Sequence, residues 1–293
     1  MMMKKWTVVL SVLAASFMAV SFQSVSSAEE QKSEYIQILN DDLRMSIEEN
    51  TEAVMNEAEQ ALYDEYHLFS PRYLGSVETM YSSGNIMSLE GYQYLPNLKS
   101  YGEHEGSIGA DPRPLTKLAQ LEELSLDSNF YSIEFLKNLK SLKILGLDNT
   151  PRQRGYEELD RMDKSILPLV DLTVLNHLDS LEEVYIGTEG YLPAITLRTG
   201  KTSYTMANPI FLSKQFIEDV VDEEGNVIGT EESQLEVRST NEDFSFADDE
   251  LTWTNLSPEM TELRFYWNAA SNTSTTDNTA SVNGTAIIPI VWK

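Results

Sequence analysis

The residue types that most often carry catalysis are few in this sequence and lie far apart along it. The chain has three histidines and no cysteine, and the lack of cysteine excludes thiol chemistry and structural disulfides. His67, His104 and His177 fall in three separate segments. No Gly-x-Ser-x-Gly sequence, which would set a nucleophilic serine on a sharp turn, accompanies them. No catalytic residue is therefore assigned, and the chain is predicted not to be an enzyme.

Carboxylates are the one abundant source of chemistry. Asp and Glu together number 47, so carboxylate pairs of the kind that cleave glycosidic bonds arise by chance. A hydrolase stays open as an alternative, although no particular pair supports it. The acidic runs 222–224 and 248–250 could attract calcium, but neither has the spaced ligands and central glycine of a calcium loop. No metal site and no cofactor are predicted.

The net charge narrows the range of partners. The formal charge of the chain is −26 at pH 7, and such a surface repels both the phosphate backbone of nucleic acids and anionic lipid headgroups. Nucleic acid and membrane are therefore not expected as partners. The same charge would steer a basic partner toward the protein at low salt.

The first 28 residues have the composition of an export signal. Lys4 and Lys5 precede a mostly apolar run, and small residues at positions 26–28 suit a signal peptidase. The rival interpretation is a retained membrane anchor, but three serines interrupt the apolar run and no basic residues follow it. We expect residues 1–28 to be removed and the chain to be secreted. No wall-sorting pentapeptide is visible, and a loose association with the cell surface is the alternative.

Leucines recur at a fixed spacing in the middle of the chain. Four of them return 21 residues later in the same order. The first four are Leu118, Leu121, Leu124 and Leu126, and their counterparts are Leu139, Leu142, Leu145 and Leu147. A third copy consists of Leu178, Leu181, Val184 and Ile186, and a weaker one of Leu95, Leu98 and Tyr101 with Glu103 at the fourth position. The spacing is typical of stacked coils, each with one short strand, as in leucine-rich repeats.

We call the repeated leucines and their counterparts the ladder residues. Because side chains of a strand alternate between its two faces, the residues between them form a second, outward set. Leu124 and Leu126 are expected to point inward, and the residues between and beside them to point out. The outward residues chosen as a protein-binding site are His104, Glu123, Ser125, Asp127, Ile144, Asp148, Glu183 and Tyr185. Ser100, Gly102, Gly146 and Gly187 complete this surface. A band of carboxylates with apolar contacts at Ile144 and Tyr185 suits a protein interface, although an unused solvated surface is the alternative.

The segments on either side of the repeats differ from them and from each other. Residues 29–85 predict a helical cap, with acidic residues such as Glu59 on a solvated side. Apolar residues fall at helical steps in two groups, Ile36, Leu39, Leu43 and Ile47, and then Val54, Ala58 and Ala61. Residues 191–293 contain short runs rich in β-formers, predicting a β-sandwich that extends the repeat sheet. Residues 268–283, rich in Ser, Thr and Asn, are interpreted as a loop. The repeats occupy 86–190, with an arginine-containing insertion at 151–165 that either contacts a partner or pairs with the chain's own carboxylates.

Two short stretches resemble a known family. Residues 88–98, SLEGYQYLPNL, look like the first-repeat signature of internalin-like proteins of Gram-positive bacteria, and residues 283–290, NGTAIIPI, are similar to the closing strand of their immunoglobulin-like domain. The small secreted members are the nearest analogy, and the resemblance runs from Ile36 to Trp292. The chain departs from the family pattern in two ways: it has only about four coils, and Glu103 breaks the leucine ladder.

The resemblance implies an α/β leucine-rich-repeat solenoid of about four coils with an N-terminal helical cap and a C-terminal immunoglobulin-like β-sandwich. Family members commonly bind host or surface proteins through the concave side of the repeats. The first hypothesis is therefore a secreted, monomeric binding protein that recognises a host or bacterial surface protein. The alternative is a structural or carbohydrate-binding component of the bacterial surface.

Overall fold

The computed structural model describes residues 34–83, 88–104, 111–127, 132–150, 166–271, 273 and 279–293. The predicted export segment (1–28) and the insertion at 151–165 lie outside these ranges. The α-helices are α1 (Asp41–Glu49), α2 (Glu57–Tyr66) and α3 (Pro71–Leu74). Within the described residues, no helix has both the length and the apolar character needed to span a membrane.

Strands dominate the fold. The first seven strands are β1 (Ile36–Gln37), β2 (Leu68–Phe69), β3 (Thr79–Ser83), β4 (Ser100–His104), β5 (Glu123–Leu126), β6 (Ile144–Asn149) and β7 (Glu183–Tyr191). The remaining strands are β8 (Ile195–Leu197), β9 (Tyr204–Ala207), β10 (Ile217–Val221), β11 (Val227–Glu232), β12 (Glu236–Arg238), β13 (Phe244–Ala247), β14 (Glu250–Trp253), β15 (Glu262–Ala270) and β16 (Thr279–Trp292).

The repeat strands form a parallel sheet in the register that the leucine spacing predicts. Leu124 lies opposite Leu145, which lies opposite Val184 on the next strand. All three side chains are buried in the core. Because each coil places its ladder residues on those of its neighbour, the coils cover one another's apolar faces, and the predicted stacking is confirmed.

Short 3₁₀ turns form the opposite side of each coil. They span Tyr92–Tyr94, Arg113–Lys117, Glu134–Asn138 and Thr173–His177. In the last three turns, a leucine at the third position is fully buried beneath the sheet. These residues are Leu115, Leu136 and Leu175. Each coil is therefore a strand on one side and a tight turn on the other, with the leucines between them.

The N-terminal segment differs in detail from the predicted helical cap of residues 29–85. It contains three helices, but β1, β2 and β3 also lie within it. Helix α1 buries Leu43 and Ile47, whereas Leu39 and Val54 are exposed. The predicted helical pattern is therefore correct at Leu43 and Ile47 and wrong at Ile36 and Leu39, because Asn40 caps α1 and the chain before it is extended. It is also wrong at Val54, which precedes α2.

Glu59 in α2 was expected on a solvated acidic face, but it is buried. Its carboxylate accepts hydrogen bonds from Arg72 Nε at 2.9 Å and from the Asn56 N–H at 2.8 Å, and it also contacts Ser70. These donors hold the pKa of Glu59 at about 2, with the hydrogen bond from Arg72 as the largest cause. The buried charge thus ties the start of α2 to α3, and a buried carboxylate persists here because donors surround it.

The sheet continues without a break into the C-terminal segment. Its order is β12-β15-β16-β7-β6-β5-β4-β3, with β8 paired to β16, nine strands in all. Strand β16 runs parallel to β7 from the pair Thr279–Glu183 to the pair Ile287–Tyr191. The predicted extension of the repeat sheet is confirmed by this register. Strand β16 also covers the last coil, whose ladder residues would otherwise meet water.

A second, three-stranded sheet in the order β13-β14-β9 faces the C-terminal end of the first. Trp253 of β14 packs against Phe265 of β15, with 6.2 Å between ring centroids, and Phe265 packs against Trp267. The sheets thus enclose an aromatic core, as expected of two packed β-layers. Assignment of this segment to the immunoglobulin-like class stays a prediction.

Both ends of the polar stretch 268–283 lie in strands and not in the predicted loop. Strand β15 extends to Ala270 and β16 begins at Thr279, so Asn268 pairs directly with Asn283. The prediction of a loop over the whole stretch is wrong, because the backbone pairing between two long strands outweighs the turn preference of Asn and Ser.

Candidate functional site

The strand registers arrange the outward residues in straight rows that cross the sheet. The first row contains Ser100, Glu123, Ile144 and Glu183 on successive strands. The second row contains Tyr81, Gly102, Ser125, Gly146, Tyr185 and Ser281. The third contains Asp148, Gly187 and Asn283. These rows define the outward face, and the sheet brings together Glu123, Ser125, Ile144, Asp148, Glu183 and Tyr185 as predicted.

The middle row forms a trough. Its floor consists of three small residues, Gly102, Ser125 and Gly146, and its ends carry Tyr81 and Tyr185, which are 56% and 44% exposed. A Cβ atom at position 102 would lie 3.2 Å from the Tyr81 ring, so that ring leans over the glycine. A depression of about 630 Å³ lies at the Tyr185 end of this row, where Ser125, Gly146, Tyr185 and Ser281 line it, and it extends to Asp148, Gly187 and Asn283 of the third row. The floor is therefore open at Ser125 and Gly146 beside Tyr185, whereas the Tyr81 ring covers Gly102 at the other end.

Two carboxylates of the neighbouring first row, Glu123 and Glu183, border the trough. Glu123 accepts a hydrogen bond from the Ser100 hydroxyl at 2.9 Å, and Glu183 accepts one from the Tyr185 hydroxyl at 3.2 Å. The hydrogen bond to Glu183 raises the pKa of the Tyr185 hydroxyl, so this tyrosine stays neutral. Neither carboxylate pairs with a cation within the described residues. The border is therefore charged and held in place by neutral hydroxyls.

A third carboxylate, Asp148, lies on the opposite border. Its Oδ1 accepts hydrogen bonds from the Thr150 hydroxyl at 2.5 Å and from the Thr150 N–H at 3.2 Å. These contacts fix the side chain at the end of β6. A Cβ atom at Gly187 would lie 3.6 Å from the same oxygen, so glycine leaves room above the neighbouring strand for this carboxylate.

Asp127 was predicted to be an outward contact, but its residue is only 8% exposed. Strand β5 ends at Leu126, and alternation no longer applies beyond it. The Asp127 N–H donates to Glu103 Oε1 at 3.2 Å, which draws the backbone toward the ladder. Asp127 is therefore nearly buried, and it lines the depression from its edge together with Glu103.

Glu103 occupies a ladder position and is buried. The Tyr101 hydroxyl donates to its Oε2 at 3.2 Å, in addition to the bond from Asp127. Burial raises the pKa of Tyr101 well above its ordinary value, so the hydroxyl keeps the proton that it donates. The apparent misfit at Glu103 is a carboxylate inside the stack that joins neighbouring coils by hydrogen bonds.

His104 ends β4, where it pairs with Ser83, and its side chain lies outside the described structure. The other two histidines are exposed and apart from the trough. His67 ends α2 in a left-handed conformation, and His177 lies in a 3₁₀ turn, where its carbonyl accepts from Lys140.

Tyr81 and Ser281 also belong to the outward face, but they were not predicted there from the sequence. Tyr81 lies on β3, which belongs to an additional coil placed inside the predicted cap. A signal existed, because Leu74, Val77 and Met80 precede Leu95, Leu98 and Tyr101 by the same 21 residues that relate the central coils. Ser281 joins the face only because β16 pairs in parallel with β7, a long-range contact that no local pattern reveals.

The acidic runs considered for calcium serve as turns. Asp222 Oδ1 accepts the Asn226 N–H at 2.7 Å and the Glu224 N–H at 3.1 Å in the β10–β11 hairpin. The Asn226 side chain, the largest cause, and these N–H groups lower the pKa of Asp222. Asp249 accepts from Asn208 Nδ2 at 2.9 Å. Across the described ranges, no group of three or more acidic or histidine side chains could hold a metal ion.

No protein-family model matches the chain, and no curated protein matches it at a significant level. Solved structures give weak matches. Internalin C2 of Listeria monocytogenes is 21% identical, with a TM-score of 0.36, over 49% of this chain and 52% of that one. The internalin InlF of the same species is 19% identical, with a TM-score of 0.34, over 50% and 36%.

A Listeria monocytogenes internalin-like protein aligns over 86% of this chain and 95% of its own, at 10% identity and a TM-score of 0.25. The chain spans about half of the internalin C2 chain and about a third of InlF. The repeat architecture rests on the strand register.

Proposed function

We propose that this chain is a secreted leucine-rich-repeat binding protein that recognises a protein on a host or bacterial surface. Its binding surface is the outward face, which we take to be the concave side of the repeats. The contacts from the sequence prediction are Glu123, Ser125, Ile144, Asp148, Glu183 and Tyr185. The fold adds Tyr81; Gly102 and Gly146 were already among the outward residues named from the sequence, and His104 stays at the rim as an untested contact. Asp127 is left out because its residue is buried.

The trough between Tyr81 and Tyr185 is the observation that carries this proposal. Exposed aromatic side chains beside a low floor offer a partner two apolar anchors, and such anchors ringed by polar groups carry much of the energy of protein interfaces. Large side chains at positions 102 and 146 would fill the floor. Glycine in a strand lowers stability by about 0.5–1 kcal/mol relative to alanine. A role in binding would explain why small residues occupy these positions despite that loss.

The rigidity of the face supports the same function. The outward residues project from strands that are paired on both sides from β4 to β16. Their backbone needs no ordering when a partner arrives, which lowers the entropic cost of association. Secretion, proposed on the composition of residues 1–28, would place this surface where host or neighbouring bacterial proteins are available.

Filling the trough tests the proposal. Gly146 has no positive φ, and a Cβ atom there meets the Ser125 hydroxyl at 3.2 Å, a small contact that rotation of the serine relieves. Gly146→Tyr should therefore fold normally and block the floor. Gly229→Tyr is the matched control, because position 229 lies on the β10–β11 hairpin with open space around it.

Each variant is crosslinked to intact host cells and to bacterial surface extracts, and captured proteins are identified by mass spectrometry. We expect a protein that the wild type and Gly229→Tyr capture and that Gly146→Tyr fails to capture, with melting temperatures within a few degrees of each other. Equal capture by both variants would move the interface away from the trough. Retention on purified cell wall in place of a protein would favour the carbohydrate-binding alternative.

A further inference from the structure

A cleft lies beside the last 3₁₀ turn, on the side of the coil opposite to the outward face. Thr173 and Asn176 of that turn form one wall, and the chain between positions 208 and 217 forms another. The base of the β10–β11 hairpin and the turn between β13 and β14 complete the cleft. Its volume is about 700 Å³, within the range of roughly 300–1,000 Å³ that small-ligand sites occupy.

Two serine hydroxyls in the wall of this cleft are buried without a hydrogen-bond partner. Ser213 and Ser233 both line the cleft and are each 5% exposed. Neither side-chain oxygen meets a donor or an acceptor in the ranges that the structure describes. Buried polar groups are nearly always paired, because an unpaired one destabilises the fold. Two such hydroxyls at one cleft therefore indicate a ligand that supplies their partners.

The backbone holds these two serines close together. The Phe216 N–H donates to the Ser213 carbonyl at 3.0 Å, and the Ser233 N–H donates to the Phe216 carbonyl at 3.0 Å. The Lys214 N–H donates to Asn176 Oδ1 at 2.7 Å, which ties this segment to the last coil. Because a serine hydroxyl moves between staggered positions by rotation about one bond, each can turn toward a ligand from a fixed backbone.

The charges around the cleft disfavour an anionic ligand. Among the described lining residues, Lys214 is the one cation, and its ammonium already pairs with Asp179 at 2.5 Å. Glu232 and Asp249 also line the cleft and carry negative charge, so phosphate, sulfate or carboxylate groups would be repelled. The hydroxyls of a neutral sugar both donate and accept, as serine hydroxyls do, and they match the unpaired groups in the wall.

Aromatic rings supply the apolar part of the cleft. Phe211 is 54% exposed, Phe246 is half-buried, and both line the cleft. Small-ligand sites combine such apolar surfaces with a few well-placed polar groups. The ring of a sugar presents C–H groups on its face and hydroxyls at its edge, so it can cover a phenylalanine while it reaches the serines.

We propose that this cleft binds a neutral saccharide, whose hydroxyls pair with Ser213 and Ser233 and whose ring packs against Phe211. The exposed side chain of Asn176 adds a polar contact at the edge of the cleft. This site is separate from the trough and does not depend on the proposed recognition of a surface protein.

Saturation-transfer NMR and titration calorimetry with the purified protein test this inference. The probes are cellobiose, lactose and N,N′-diacetylchitobiose, together with 3′-sialyllactose, which is lactose extended by a carboxylate-bearing sugar. We expect at least one neutral disaccharide to bind. The negative charge of the cleft should make 3′-sialyllactose bind no better than lactose. The inference is wrong if none of the neutral disaccharides binds or if the anionic sugar binds more tightly than lactose.

Serine variants locate the bound sugar. Ser213→Ala and Ser233→Ala should each weaken binding by roughly two- to tenfold. Their melting temperatures should stay the same or rise, because each substitution removes an unpaired buried group. Ser245→Ala is the matched control, since Ser245 is exposed on β13 and lies outside the cleft lining. Unchanged binding in the double alanine variant, or a clear loss of stability in either single variant, would overturn the inference.

The two binding sites can fail independently. Gly146→Tyr should leave sugar binding unchanged, and the double alanine variant should capture the same surface protein as the wild type. Loss of sugar binding in Gly146→Tyr would place the sugar on the outward face and overturn this inference. A failure of every variant and of the wild type to capture a surface protein, with sugar binding intact, would refute only the proposed function.

Discussion

Replacing Glu59 by glutamine should destabilise the protein at neutral pH and lose most of that effect in acid. The carboxylate is buried at the start of α2, and the donors around it include Arg72 and the Asn56 N–H. Its pKa falls from 4.5 to about 2 on folding. Because the folded pKa is the lower one, the ionised group stabilises the fold above the unfolded pKa, and this stabilisation is lost as the pH falls from 4.5 toward 2.

The size of the effect follows from the shift and from exposure. A shift from 4.5 to about 2 would correspond to roughly 3 kcal/mol in full. The Arg72 side chain is 55% exposed, and solvent screening of such a partner reduces the expected contribution to about 1–2 kcal/mol. Roughly half of this should be lost by about pH 3.5, where the unfolded carboxylate is largely protonated.

Urea denaturation at several pH values between about 3.5 and 7 measures the difference in free energy of unfolding. Glu57→Gln is the matched control, because Glu57 lies in the same first turn of the helix and is exposed. We expect the Glu59→Gln difference to be constant from about pH 6 to 7 and to shrink below pH 5, with almost no difference for the control. A difference that does not change with pH would refute the role assigned to the charge.

Three other substitutions test the stack and its ends by unfolding and association measurements. Leu145→Ala should cost about 2–5 kcal/mol in denaturant unfolding, because the residue is fully buried between two coils; a cost below 1 kcal/mol would contradict the stacked ladder. Asn50→Ala should increase self-association in sedimentation experiments, because the Asn50 amide pairs at 3.3 Å with both the N–H and the carbonyl of Tyr81 on the outer edge of β3. An unchanged monomer at high concentration would show that this edge needs no cover. Gly284→Ala should cost about 1–3 kcal/mol and alter tryptophan fluorescence, since the added Cβ atom would overlap the Trp267 ring at 2.0 Å; an unchanged spectrum and stability would disprove this packing.

The central repeats could be predicted from sequence because their signal is local and periodic. Leu124 and Leu145 occupy matching positions 21 residues apart, and stacking is the one arrangement that buries both. The outward residues followed from alternation for as long as a strand continued. The prediction for Asp127 was wrong for this reason, because β5 ends one residue before it. A hydrogen bond from the Asp127 N–H to the Glu103 carboxylate also turns the chain inward there.

The N-terminal segment was harder to predict because its core includes a charge. Helical steps predicted apolar contacts at Val54, whereas the buried residue of α2 is Glu59, whose partners lie on other elements. Strand β3 was missed because its ladder residues include Met80 and Ser82, which resemble leucine poorly. In both cases the stabilising contacts are long-range, and composition alone does not reveal them.

The separation between ladder and face has a consequence for how this protein can bind. Inward residues such as Leu145 are fixed by packing, and a substitution there lowers the stability of the whole stack. Outward residues such as Gly146 and Tyr185 contact solvent and a few neighbours, so a change there has little effect on stability. Asn50 at one edge and β16 at the other cover the ends of the repeat sheet, which leaves the outward face as the open surface of the strands. A partner bound as proposed would therefore contact side chains that tolerate substitution, carried by strands whose backbone is held by pairing on both sides. In the trough the small residues also leave the strand backbone accessible to that partner.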